Sequence, residues 1–326
     1  MANLLKLIKN TTAYKMVSLD KEHGRLSHAY MLFTPDKKHV KDYLKIFAKL
    51  IVCKSKGYCD CCRECRLIDE EKLTDVKFYP LKDGDKISAD DVTEIVNDSF
   101  IKPYEGDKKV YVITDASLTN PAGQNKLLKT LEEPSEGVHI LIGATGEYSV
   151  LPTVKSRVKK LEIPLFSQED LFSALKDDFT DVERLKTAVS NSDGTIGGVA
   201  RLYNDEKFFK AEDLAKSTLK NLNTSKDVLK VSNEILSSGV NLLDYLSALE
   251  NLFRDLAVYY TGGKIFNGTL VGFFDTLNGF NRASCIYALD KITDSRKREF
   301  FNNNDTMLLE RLLLSILEGK YKWKKL

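Results

Sequence analysis

Along the first half of the chain, short apolar runs alternate with segments whose hydrophobic residues recur every three or four positions. The runs are 28–33 (HAYMLF), 75–81 (DVKFYPL), 109–114 (KVYVIT), 139–145 (HILIGAT) and 159–164 (KKLEIP). They predict five strands. The third is apolar almost throughout, as suits a strand buried on both faces of a parallel sheet. Between the runs, Val40, Tyr43, Leu44, Phe47, Leu50 and Ile51 predict a helix over 39–53. Val92, Ile95, Val96 and Phe100 predict another over 88–100, with Ser88 as N-cap and Asp91 three residues later. A third starts at Asn120, has Pro121 in its first position, faces Ala122, Leu127, Leu128 and Leu131 inward, and stops at Pro134. Strands alternating with helices in this way predict a parallel sheet covered by helices.

After Pro164 the pattern changes. Only VYYTGG (258–263) hints weakly at a strand. Residues 171–203 read as short amphipathic helices broken near Gly194, Gly197 and Gly198. From about Ala211 onward the stripes are helical throughout: Leu242, Leu243, Leu246, Leu249, Phe253 and Leu256, then Met307, Leu308, Leu312, Leu313 and Ile316. An α/β domain, a small helical domain and a larger helical domain are expected.

Composition narrows the function. No apolar run approaches the ~18 residues of a membrane span, and the N-terminal residues do not read as a signal peptide. A cytoplasmic protein with no membrane partner is expected. The formal charge of +2, from 49 basic and 47 acidic residues, argues against a dedicated nucleic-acid binder. The basic tail 319–326, with Trp323 inside it, reads as a solvated helix end. Five of the six cysteines, Cys53, Cys59, Cys61, Cys62 and Cys65, fall within 13 residues. Cys53, Cys59, Cys62 and Cys65 can supply four thiolates to a structural zinc ion, with Cys61 able to replace Cys59 or Cys62. Redox chemistry is the alternative, but the strand–CxxC–helix context it needs is missing.

Two slots that would carry nucleotide chemistry are depleted. After the first strand, a phosphate-binding loop needs glycines and a Lys. The chain has Thr34-Pro35-Asp36-Lys37-Lys38-His39, with no glycine between Gly24 and Gly57. Pro35 lacks a donor and Asp36 repels phosphate, so 34–39 reads as a plain strand-to-helix turn. After the third strand comes Thr114-Asp115, with one acid where an ATPase uses two; Asp115 reads as a cap or turn residue. Glu132 and Glu133 oppose the dipole of their helix. They either meet a partner or are compensated by Lys126 and Lys129. Arg157, after Ser156 on the connection between strands four and five, has the planar charged fork that suits a transferring phosphoryl group on a neighbouring chain.

GRLSHAYMLF (24–33), the cysteine cluster, NKLLKTLEEP (125–134), LPTVKSRV (151–158) and NNNDTMLLERLLLSIL (302–317) together resemble the clamp loader of bacterial DNA polymerase III, and within it the delta-prime subunits. The gap from Cys53 to Cys59 is shorter than usual in that family, and Val158 stands in place of its Cys. The resemblance implies an AAA+ α/β domain over 1–164 with a zinc-binding insertion at 53–65. It further implies a helical lid over 165–208 and an all-α collar over 209–326 that holds a pentameric ring. Arg157, with Ser156 adjacent, would act as an arginine finger on ATP bound to a neighbouring motor subunit. The family's phosphate loop, acidic pair and lid arginine correspond here to Thr34–His39, Thr114-Asp115 and Gly197. A non-ATPase ring subunit without bound ATP is therefore expected, with gamma/tau and delta subunits as neighbours and the sliding clamp and primed DNA as partners of the whole complex. The alternatives are an active motor ATPase and a zinc-containing DNA-binding module.

Overall fold

The computed structural model describes residues 2–81, 86–146, 150–299 and 304–323. The last residues of the basic tail and the first two of 302–317 thus lie outside the described residues. The chain divides into two compact units, Met1–Asp178 with Asp193–Gly198, and Phe179–Ser192 with Val199–Leu326.

The first unit opens with α1 (Ala2–Ile8) and α2 (Thr12–Glu22), capped by Thr11. It continues with β1 (Ala29–Phe33), α3 (Val40–Val52), α4 (Arg63–Asp69), β2 (Val76–Tyr79) and α5 (Ala89–Asp98). Then come β3 (Lys109–Ile113), α6 (Pro121–Glu132), β4 (Val138–Ala144), α7 (Pro152–Lys155), β5 (Lys159–Glu162) and α8 (Gln168–Leu175). The five strands form one sheet in the order β2-β3-β4-β1-β5. All neighbours are parallel, with β1 registered between β4 (Tyr30↔Leu141) and β5 (Tyr30↔Lys159). Met31, Tyr111, Ile113, Ile140 and Ile142 pack with Val92 and Ile95 of α5 and Leu127 and Leu131 of α6. The opposite face carries α3. There a Cβ on Gly143 would stand 2.2 Å from the Thr114 carbonyl oxygen and 2.6 Å from Val40. Only a residue without a side chain lets α3 seat against β4. Burial on both faces accounts for the continuous apolar strands.

Start signals behave as the sequence predicts. Ser88 and Asp91 form a reciprocal capping box on α5, and Asn120 caps α6 ahead of Pro121. Ala122 is a correction: it is exposed, and Gly123 and Gln124 take the inward face with Leu127, Thr130 and Leu131. Gln124 is buried because its amide donates to Ala116 and Thr119 carbonyls and accepts from Leu151 N–H, a polar role that hydrophobic periodicity does not report.

The second unit is helical: α9 (Val182–Asn191), most of α10 (Ile196–Tyr203), α11 (Glu206–Asn221), α12 (Ser225–Ser237), α13 (Leu242–Tyr260), α14 (Thr269–Asp275), α15 (Arg282–Glu299) and α16 (Asp305–Lys322). Tyr245, Leu246, Leu249, Leu252, Phe253 and Leu256 of α13 form the middle of its core. Leu243 and Met307, expected inside, are exposed. The suspected strand at 258–263 is the end of α13 and the turn after it. Among the described residues no helix is long and apolar enough to cross a membrane.

One buried acid in this unit gives stability a pH dependence. Glu212 is 3% exposed, and its Oε1 has no hydrogen-bond partner among the described groups. Burial pushes its carboxyl from 4.5 up to about 7. A carboxyl raised in the folded state favours folding at pH below 4.5 and loses that advantage as pH rises through about 7. Glu212→Gln should therefore stabilise the protein at pH 8 by roughly 3 kcal/mol relative to its effect at pH 4.5. Urea denaturation of both proteins at the two pH values checks this; equal differences at both would remove Glu212 as the cause.

Candidate functional site

The turn between β1 and α3 is built around Asp36. Its carboxylate is 3% exposed. It accepts from Gly197 N–H at 3.1 Å and from Tyr43 hydroxyl at 3.3 Å. His39 Nδ1 lies 3.1 Å away, an arrangement that assigns the ring hydrogen to Nδ1. Burial alone would raise the Asp36 carboxyl; the His39 and Gly197 bonds outweigh it and hold the group below 3.8. Backbone donors of the turn are also used locally. Asp36 N–H goes to Thr34 Oγ1, Lys37 N–H to Pro35 carbonyl and His39 N–H to Asp36 carbonyl. Gly197 lies in the first turn of α10, where N–H groups have no partner within the helix. Asp36 satisfies one of them. A Cβ at position 197 would stand 2.5 Å from Asp36 Oδ1, so glycine is required there by contact.

At the end of β3, Thr114 donates from N–H and Oγ1 to the Tyr79 carbonyl. Asp115 caps the 3-10 turn Ala116–Leu118 by accepting from Ser117 N–H at 2.8 Å, the local role its sequence suggests.

Arg157 follows α7. Its Nη2 is 2.5 Å from Glu132 Oε1 at the C-terminal end of α6. Its Nη1 donates to Thr153 carbonyl at 2.9 Å and to Ser156 Oγ at 3.3 Å. The Ser156 hydroxyl in turn donates to the Thr153 carbonyl at 3.0 Å. Glu132 is thus met by Arg157, while Lys126 turns to Thr93 Oγ1. A contact between residues 25 positions apart leaves no trace in helical spacing, which is why sequence reasoning leaves Glu132 open.

The cysteine loop runs from the end of α3 to the start of α4. The Sγ atoms of Cys53, Cys59, Cys62 and Cys65 all lie within 4.8 Å of one another. Cys53 and Cys59 are 3.7 Å apart, and Cys53 and Cys62 4.0 Å. A tetrahedron with metal–sulfur bonds of ~2.3 Å has edges of about 3.8 Å, so the donor set and its spacing fit a tetrahedral thiolate site. Cys61 is exposed and outside the four. Cys62 Sγ accepts from Cys65 N–H as N-cap of α4. Backbone N–H groups of Cys61 and Cys62 draw the Cys59 thiol down to about 5, whereas burial pushes Cys65 up. Beneath the loop, fully buried Lys49 pairs with Asp60 and, at 2.6 Å, with Asp69. Asp60 takes the left-handed conformation (φ 57°), which Asp tolerates better than most residues. Lys21 Nζ donates to the Cys53 and Gly57 carbonyls.

Comparison with known proteins gives these features a context. The family model for "DNA polymerase III, delta subunit" matches residues 9–167. DNA polymerase III subunit gamma of Buchnera aphidicola subsp. Schizaphis graminum is 22% identical over 96% of this chain and 94% of its own length. Residues 9–167 are thus similar to subunits of the DNA polymerase III clamp loader. Subunit tau of Bacillus subtilis is 25% identical over 73% of this chain and 46% of its own. Subunit delta' of Pseudomonas aeruginosa is 29% identical over 54% and 56% respectively. The five-stranded parallel sheet with helices on both faces forms an α/β domain, and the helical region follows it in sequence.

The Asp36 bonds set an acid-dependent contribution to this protein's stability. Asp36→Ala strips Gly197 N–H and His39 of their acceptor and should cost roughly 1–3 kcal/mol at pH 7. Because the Asp36 carboxyl is held below 3.8 when folded, that difference is full above this value and disappears as pH falls beneath it. Denaturant unfolding of both proteins at a series of pH values from 7 downward measures it. A difference that stays constant down to the pH at which the wild type itself unfolds would trace the loss to packing instead.

Proposed function

We propose that this chain is a delta-prime-type subunit of the clamp loader, one that does not hydrolyse ATP itself and supplies Arg157 to ATP bound by an adjacent motor subunit. The observation that carries this reading is the filled phosphate slot. A bound triphosphate needs free backbone N–H groups and positive charge. Here a buried carboxylate occupies the turn, and the N–H groups of Asp36, Lys37, His39 and Gly197 all have internal acceptors. An incoming phosphate would have to displace a paired buried charge, a change that costs several kcal/mol. Set against the family pattern, the loop's glycines are absent from Thr34–His39, and Gly197 stands where the resemblance puts a lid arginine.

On this reading the chain has an AAA+ domain over 1–164, a lid over 165–208 and a collar over 209–326. It joins gamma/tau and delta subunits in a pentameric ring that loads the sliding clamp onto primed DNA. Similarity to gamma and tau chains favours a second reading, an active motor subunit. The two differ in a direct measurement. Calorimetric titration of the isolated chain with Mg-ATP should give no binding tighter than about 1 mM; micromolar affinity would favour the motor. In the reconstituted complex, Arg157→Ala should leave assembly intact and slow DNA-stimulated hydrolysis by roughly tenfold or more. Unchanged turnover would remove Arg157 from this role.

Zinc is the proposed occupant of the four thiols, held as a closed structural site that ties α3 to α4. Closed coordination by four thiolates leaves no position for a substrate. Elemental analysis should find about one zinc per chain. Cys65→Ser should lose it and Cys61→Ser retain it; retention in both variants would refute the ligand set.

A further inference from the structure

Arg157 is engaged by its own chain. Both of its terminal nitrogens are held by its own chain, Nη2 by Glu132 Oε1 and Nη1 by the Thr153 carbonyl and Ser156 Oγ. Planar recognition of a phosphate uses those same terminal donors. The Thr153 carbonyl belongs to the last turn of α7, so that contact resembles the capping of a helix end by a cation. Glu132 is different. It ends α6, where a carboxylate opposes the helix dipole, and among the described residues its ion-pair partner is Arg157.

We infer that Glu132 restrains Arg157 in a withdrawn setting, and that the finger reaches a neighbour's phosphate only by exchanging the Glu132 carboxylate for it. Two magnitudes make this a reversible restraint. The Arg157 side chain is 35% exposed and that of Glu132 49%. Ion pairs this wet are weak and salt-screened. A triphosphate carries several negative charges and accepts both arginine donors at once, so it outcompetes one carboxylate. Once the exchange is made, the released carboxylate stands near the phosphates and repels them. Glu132 thus lowers the fraction of time the finger is available without blocking it. Glu132 is a positioning residue: it touches Arg157, and nothing in its role requires contact with nucleotide.

The inference rests on the proposed action of Arg157 in trans, and the experiment separates the two. Glu132→Gln, Arg157→Ala and the double variant are each assembled into the complete complex, and ATP hydrolysis is measured with and without primed DNA. Glu132→Gln should raise the DNA-independent kcat by roughly two- to fivefold, the population shift an exposed ion pair can produce, with little change in KM for ATP. The double variant should match Arg157→Ala alone, because Glu132 acts only through the arginine. If Arg157→Ala has no effect, the proposed function fails and takes this inference with it. If Arg157→Ala slows hydrolysis while Glu132→Gln equals wild type, the restraint alone is overturned. A fall in kcat with Glu132→Gln would mean that the carboxylate aims the finger instead of holding it back, and would also overturn the restraint. Equal melting temperatures of the wild-type and Glu132→Gln chains guard against a folding artefact.

Discussion

A buried negative charge at the head of α3 organises the first unit. Asp36 cannot be left unpaired, because an isolated carboxylate out of water is costly by several kcal/mol. Its partners are therefore fixed with it: His39 at the N-cap of α3, Tyr43 one turn further on, and Gly197 at the start of α10. Residues 161 positions apart meet through one hydrogen bond. The carboxylate does locally what a bound phosphate does at a helix N-terminus, by accepting from orphan backbone donors in a field that favours negative charge. A turn that already contains its anion has little use for a second one.

The same pairing of buried charge recurs elsewhere in the unit. Lys49 is fully buried yet has carboxylates on two sides, Asp60 from the cysteine loop and Asp69 from the end of α4. That pairing pins the loop to α3 from beneath while the four thiols gather above it. Asp75 accepts from the consecutive N–H groups of Tyr104, Glu105 and Gly106 and so fixes the approach to β3. These contacts hold loops in defined positions on a sheet whose stability comes from apolar burial. Arg157 stands apart from them. Its ion pair is exposed and weak, as the proposed exchange of partners requires.

Much of the fold is legible in the sequence because it depends on periodicity. Strands buried on both faces read as apolar runs: β1, β2, β3 and β5 fall within the segments their sequences predict, and β4 begins one residue earlier, at Val138. The caps Ser88 and Asn120 are local chemistry and are equally readable. The N-terminal helices α1 and α2 are not among the predicted elements, although Leu4, Leu7 and Ile8, then Ala13, Tyr14 and Val17, carry the spacing and Thr11 the cap. Ala122 and Met307 are expected inside because apolar identity suggests burial. Alanine is small enough to be harmless outside, and a single exposed Met is ordinary on a helix surface. Gln124 shows the converse, a polar residue buried because its amide is satisfied.

By itself, the sequence determined the α/β-then-α layout, the missing glycines of Thr34–His39, and four cysteines with metal-binding spacing. Each of these is encoded within a few neighbouring residues, where covalent geometry and side-chain type set the outcome. Only the tertiary structure decided that Asp36 bonds Gly197, that Cys61 lies outside the thiol cluster, and that Glu132 meets Arg157. The Asp36 and Glu132 contacts join residues distant along the chain, and the position of Cys61 depends on how its loop closes over α3. In all three the path of the backbone in space, and not local propensity, sets the distance.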